Sequence, residues 1–271
     1  MKARDKYKRF FKKSHTPDIH VFDNIHVSEE ELTDFESQYG IINKDFKELI
    51  AQMAHAKSFG SLINPQGADI TSQKEALGQF EAKDMMRDHV KQRLVNICEH
   101  LEALNQTYHV VVTNPPYLGN FEKEMGKFMT ANYKDYKSDT FAAFMVRNAF
   151  FTKEKGLMGF MTPFVWMFIS SFENLRKYLI EKNNIYSLVQ LEYSGFSGAT
   201  VPICTFTFQK GENKNKKGVF IGLSNFKGSE NQAPKTLEAI KDENCKWRYE
   251  ASSKDLKKIP GYPIAYWVSD R

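Results

Sequence analysis

The chain has 271 residues and a net charge of +5, enough length for one sizeable core and short for two. The positive balance suits a polyanionic partner without requiring one, and three cysteines with seven scattered histidines show no metal-ligand spacing. The odd number of cysteines argues for a reducing cytoplasm, and a basic start with no apolar region behind it is not a signal peptide.

Seven Lys or Arg between Lys2 and Lys13 fall on one predicted helix, with Tyr7, Phe10 and Phe11 on its other face. A solvated face explains them more cheaply than a phosphate track. Ile19 to Phe22 is strand-like and ends at Asp23. Ser28 to Phe35, Lys44 to Ala56 and a long stretch from Gln73 to Asn105 read as helices, with a Gly/Asn/Pro loop at 58–67. Tyr108 to Thr113 is a β-branched run of the kind that forms a buried parallel strand. Ser138-Asp139-Thr140 supplies capping residues for an apolar helix. Gly156 to Thr162 is the next buried strand, stopped by Pro163. The uncharged stretch 156–172 is slightly short for a membrane span and is split by that proline, so burial in a sheet fits better. Ser170 to Glu181 is an amphipathic helix with a serine cap, and Ile185 to Leu191 is another strand. Ala199 to Gln209 alternates late and is expected to pair with Gly218 to Leu223 across the turn at Lys214 to Lys217. This order predicts an α/β fold: the second half of a doubly wound, Rossmann-like sheet with an antiparallel edge hairpin, preceded by an N-terminal helical insertion at 14–106.

The most informative residues are Asn114, Pro115, Pro116 and Tyr117, which end the Tyr108 strand. Functional groups collect at the carboxyl ends of parallel strands. Two successive prolines remove two backbone donors and lock two φ angles, and Pro115 forces Asn114 into an extended conformation. The expected product is a rigid loop presenting an amide, free carbonyl oxygens and an aromatic ring. Such a loop can hold a planar group bearing an NH2. The Asn114 side-chain oxygen and the Pro115 carbonyl would each accept a hydrogen from the amine, favouring a pyramidal nitrogen whose lone pair faces an electrophilic methyl. Tyr117 would stack on the base, which must leave the duplex to reach it.

Asn114-Pro115-Pro116-Tyr117 after a Val-rich strand resembles the motif of amino-group methyltransferases that use S-adenosylmethionine. Glutamine methyltransferases and some ribosomal RNA enzymes share it. From Tyr108 to about Lys210 the chain resembles, more narrowly, the adenine-specific DNA methyltransferases of BREX phage-defence systems and their type II restriction-modification relatives. The added residues are the Lys137 to Phe144 helix start, Met161-Thr162-Pro163-Phe164-Val165-Trp166-Met167, and Ser170-Ser171-Phe172-Glu173-Asn174-Leu175-Arg176. The resemblance implies catalytic roles for Asn114, Pro115, Pro116 and Tyr117, with Asn114 and Pro115 also facing the cofactor. It implies double-stranded DNA as substrate, with other defence-system subunits or the remainder of the enzyme as further partners. Phe196 stands where such enzymes often place a second base-contacting aromatic, although an ordinary loop aromatic explains it equally well. Asp139 could line the cofactor side, but a helix cap needs no such role.

Two expected features are missing. S-adenosylmethionine needs a Gly-rich turn after a first strand and an acidic residue ending a second. No such glycine cluster occurs, and Asp23 as the acidic residue is less economical than a polar strand end. The segment Ile259 to Trp267 resembles the passage into a target-recognition region. The expected organisation is therefore an incomplete catalytic domain over 1–210, with 107–210 as its catalytic-motif half, then 211–271 as a hairpin and the start of that region. An inactive product, or a subunit needing a partner for the cofactor half, is the alternative reading.

Overall fold

The computed structural model describes residues 17–79, 81–195, 201–211 and 216–268, which divide into two compact units. The basic segment at 2–13, Phe196 and the Lys214 turn lie outside the described residues.

The first unit draws on Met1–Lys57 and Asp69–Ala103 and is helical. Helix α1 (Glu29–Tyr39) begins at a capping box between Ser28 and Glu31 and ends at Gly40, whose φ of 62° is the left-handed conformation that glycine adopts freely. Asn43 caps helix α2 (Lys44–Met53), which turns Phe46, Leu49, Ile50 and Met53 inward at helical spacing. The stretch expected as one helix from Gln73 is two, α3 (Ile70–Gln79) and α4 (Met85–Leu104). Asp84 starts the second by accepting the Arg87 amide at 2.9 Å. The strand expected over Ile19 to Phe22 does not form. Ile19 and Val21 are exposed, and Asp23 pairs with Lys57 at 2.7 Å, so its carboxylate is engaged within this unit.

The second unit, Ser58–Ala68 and Leu104–Arg271, carries the sheet. Its strands are β1 (Tyr108–Thr113), β2 (Thr152–Pro163), β3 (Asn183–Gln190), β4 (Ile203–Lys210), β5 (Lys217–Gly222) and β6 (Arg248–Ser252). Among the described residues they lie in the order β1-β2-β4-β3-β5-β6. β1 and β2 are parallel, as are β3 and β5, whereas β4 runs antiparallel between β2 and β3. The expected pairing of 199–209 with 218–223 is therefore absent. The late alternation of β4 reflects an interior strand with neighbours on both sides, and the antiparallel edge is formed by β5 with β6.

Helices α5 (Lys123–Asn132), α6 (Thr140–Phe151), α7 (Glu173–Lys182) and α8 (Ser229–Lys241) complete this unit. Asp139 caps α6 as expected, by accepting the Phe141 amide. Ser170 and Ser171 instead form a short 3-10 turn with Phe172, which precedes α7 and gives it no side-chain cap. Phe141, Met145 and Val146 of α6, Leu175 and Leu179 of α7, and Phe160, Phe206 and Phe208 of the sheet close around the fully buried Trp166. Arg176 is buried too. It donates to the carbonyls of Trp166, Ile169 and Gly261, and burial lowers its pKa.

β1 is the exception to this burial. Among the described residues only β2 is bonded to it, and Val110 and Val112 are 60% and 76% exposed where a parallel strand is expected to be covered.

At the other side of the sheet, β5 passes so close to the Ile185 carbonyl of β3 that a Cβ on Gly218 would collide with it. Gly218→Ala is expected to cost about 1–3 kcal/mol of stability by overpacking against backbone. Urea unfolding checks this as a lower midpoint at unchanged slope; an unchanged midpoint would show that the two strands can part.

Candidate active site

The carboxyl ends of β1 and β2 lie side by side, and β4, running the other way, begins beside them. This brings three separate segments together: the loop after β1, Met161 near the end of β2, and Val201 with Ile203 at the start of β4. They enclose a cavity of about 600 Å³ lined by Asn114, Pro115, Pro116, Tyr117, Met161, Val201 and Ile203. Pocket volumes of roughly 300–1,000 Å³ hold ligands of small-molecule size. The structure thus brings the four loop residues singled out from the sequence to one cavity wall. Met161, Val201 and Ile203 were not anticipated. The available signal was a proline at the strand boundary beside each segment, Pro163 ending β2 and Pro202 preceding β4, joined here by the Phe164 amide donating to the Pro202 carbonyl at 2.6 Å. Phe196, expected as a second base-contacting aromatic, lies outside the described residues.

Within the loop, the Tyr117 hydroxyl lies 3.1 Å from the Asn114 side-chain oxygen and 3.1 Å from the Met161 carbonyl. One hydroxyl hydrogen serves one acceptor at a time, so these oxygens share it. Burial raises the Tyr117 pKa, so the phenol stays protonated at neutral pH and donates. Its ring meets Phe141 edge-on at 6.4 Å, which fixes its tilt. Burial also raises the Asp139 carboxyl pKa, opposed by the amides of Phe141 and Leu118 that the carboxylate accepts. Asp139 therefore serves the helix start and the loop together.

Among the described residues no group of three or more His, Cys, Asp or Glu could hold a metal ion, and no helix is long and apolar enough to cross a membrane. The cavity wall offers acceptors and an aromatic ring for a planar amine. It offers neither the Gly-rich turn nor the acidic strand end by which an adenosyl group is held, so the residues present fit an acceptor base and not the body of such a cofactor. Cys204, next to Ile203 on β4, is fully buried with its thiol pushed up to about 12 by burial. The chemistry open to this wall is therefore positioning and hydrogen-bond acceptance, without a thiolate nucleophile. Native protein treated with a maleimide at pH 8 is expected to leave Cys204 unlabelled, with labelling only after denaturation. Peptide mass spectrometry checks this, and rapid native labelling would contradict it.

The model of the Eco57I restriction-modification methylase family matches residues 8–196. The adenine-specific methyltransferase PglX of Lacticaseibacillus casei is 28% identical over 289 aligned residues, covering 100% of this chain and 24% of that protein. The adenine-specific methyltransferase BrxX of Escherichia coli is 30% identical over 229 residues, 81% of this chain and 18% of that protein. The chain therefore spans about a quarter or less of the length of these curated relatives. A crystal structure of the type I restriction-modification system methyltransferase subunit from Streptococcus thermophilus aligns with a TM-score of 0.46 at 19% identity, covering 66% of this chain and 45% of that one.

Proposed function

Because the chain belongs to the Eco57I restriction-modification methylase family, we propose that its Asn114–Tyr117 loop is the base-side half of an adenine-specific DNA methyltransferase site. The observation that carries this reading is the convergence of Asn114, Pro115 and Tyr117 on one cavity, with the Asn114 oxygen already held by a hydroxyl donor. An adenine amine is a poor nucleophile because its lone pair is delocalised into the ring. The Asn114 oxygen and the Pro115 carbonyl accept its two hydrogens and favour a pyramidal nitrogen. The Tyr117 hydroxyl turns to the Met161 carbonyl as the amine takes its place at Asn114. Leaving the duplex costs the base roughly a few kcal/mol. Stacking on Tyr117 returns about 1–3 kcal/mol. Met161, Val201 and Ile203 form the apolar remainder of the base pocket. Double-stranded DNA is the substrate.

S-adenosylmethionine would supply an electrophilic methyl in this chemistry, and Asn114 and Pro115 are the residues of this chain that would border it. The rest of its binding site lies on residues outside those described. We place that donor half against β1, where exposed Val110 and Val112 and a strand edge left unpaired among the described residues offer a surface for a further strand. Residues 14–106 are read as a helical insertion in the catalytic domain, and 211–271 as the passage toward a target-recognition region.

In enzyme assembled with its donor half, DNA is expected to gain N6-methyladenine, read by mass spectrometry of nucleosides. Asn114→Ala should lower the rate by about a hundredfold or more, the scale of losing one preorganised transition-state contact. Methylation persisting in Asn114→Ala removes that residue from the mechanism. Methylcytosine or methylated protein in place of N6-methyladenine overturns the substrate assignment. Tyr117→Ala should weaken capture of the base by about tenfold to a hundredfold, whereas Tyr117→Phe keeps the stack.

A further inference from the structure

We propose that Thr140, flanked by Asp139 and assisted by Asn148, is a positioning residue for the methylation reaction, setting the loop conformation that presents Asn114 to the amine. The inference rests on reading that loop as the base-side half of the site. Its starting point is a deficit: Pro115 and Pro116 have no N–H, so two of the loop's own backbone donors are missing. Donors must come from elsewhere, and helix α6 brings them.

The Thr140 hydroxyl donates to the Pro116 carbonyl at 2.6 Å, and the Thr140 amide donates to the Leu118 carbonyl at 3.1 Å. The Asp139 carboxylate accepts the Leu118 amide at 3.0 Å. Two turns further along the helix, the Asn148 side chain donates to the Thr113 hydroxyl at 2.5 Å, immediately before Asn114. The loop is thus held at both ends by one helix, whose buried face packs on Phe172 and the sheet core. Thr140 and Asn148 are 1% and 3% exposed, so both donors are held in place by the packing around them.

The arrangement also sorts the loop's acceptors. The Pro116 carbonyl is engaged by Thr140, whereas among the described residues nothing donates to the Pro115 carbonyl. The Asn114 oxygen shares its donor with Met161 and can give it up. Two acceptors remain for the two hydrogens of an amine. Without the Thr140 hydroxyl, the Pro116 carbonyl loses its protein donor, and the loop is no longer tied to the helix at that point. Displacements of about 1 Å at a reacting centre change rates by about a hundredfold.

The test uses the enzyme complete with its donor half and compares Thr140→Val, Thr140→Ser and Asn114→Ala. Thr140→Val keeps the side-chain shape and removes the hydroxyl. It should lower kcat, measured per folded molecule, by about tenfold to a hundredfold, with the KM for DNA within about twofold because Tyr117 still stacks. Thr140→Ser should restore kcat. A merely structural role predicts lower thermal stability with kcat unchanged, and that result overturns the proposal, as does failure of serine to rescue. Should Thr140→Val not fold, Asn148→Ala at the other end of the loop should show the same fall in kcat, and an unchanged kcat overturns the proposal. An inactive Asn114→Ala beside a fully active Thr140→Val refutes the positioning role alone. An active Asn114→Ala refutes the loop reading beneath it.

Discussion

A loop with two consecutive prolines has carbonyl oxygens to spare and no amide hydrogens at those positions, and this shortage of donors organises the structure around it. β1 fixes where the loop starts but is itself bonded on one side only among the described residues. Among the described residues, the further side-chain contacts that hold the loop come from the start of α6, from Asn148 further along it, and from the Tyr117 hydroxyl. The burial of α6 therefore fixes the loop as well as the core. Its Phe141, Met145 and Val146 pack into the same core as Trp166 and Phe206, so the helix cannot shift without disturbing the whole sheet.

The direction of β4 is the second constraint. A strand running parallel to its neighbours would bring its carboxyl end to the cavity. Running antiparallel between β2 and β3, β4 brings its first residues there instead. Ile203 and Val201 reach the pocket for that reason, and Cys204, one residue on, turns to the opposite face and is sealed in the core. The period of two along a strand thus separates a pocket-lining residue from a buried thiol that has no access to substrate.

Some of this was legible in the sequence and some was not, for identifiable reasons. The Asn114–Tyr117 loop and the Asp139 cap are local: prolines and capping side chains act within a few residues, so their consequences can be read in order along the chain. The place of β4 is not local. Alternation in residues 199–209 marks a strand, but the same pattern serves an edge hairpin or an interior strand, and only long-range pairing decides. The pocket contributions of Met161 and Ile203 depend on that pairing and were hidden with it. The β-branched run of β1 reads as a buried strand, yet Val110 and Val112 stand exposed. Composition of this kind states what a strand is suited to pack against, and the described residues supply only one of its two neighbours.

This last mismatch between residue type and exposure joins the sequence and structure at the point that matters most. An apolar strand with one edge unpaired among the described residues, the Asn114–Tyr117 loop and the lack of a Gly-rich turn are the features on which the proposed two-sided site rests. Equilibrium binding of S-adenosylmethionine to the purified chain, followed by titration calorimetry, tests that division directly. The account predicts no saturable binding at micromolar concentrations by the chain alone, and binding once a polypeptide carrying the donor half is added. Micromolar affinity of the chain by itself would contradict it.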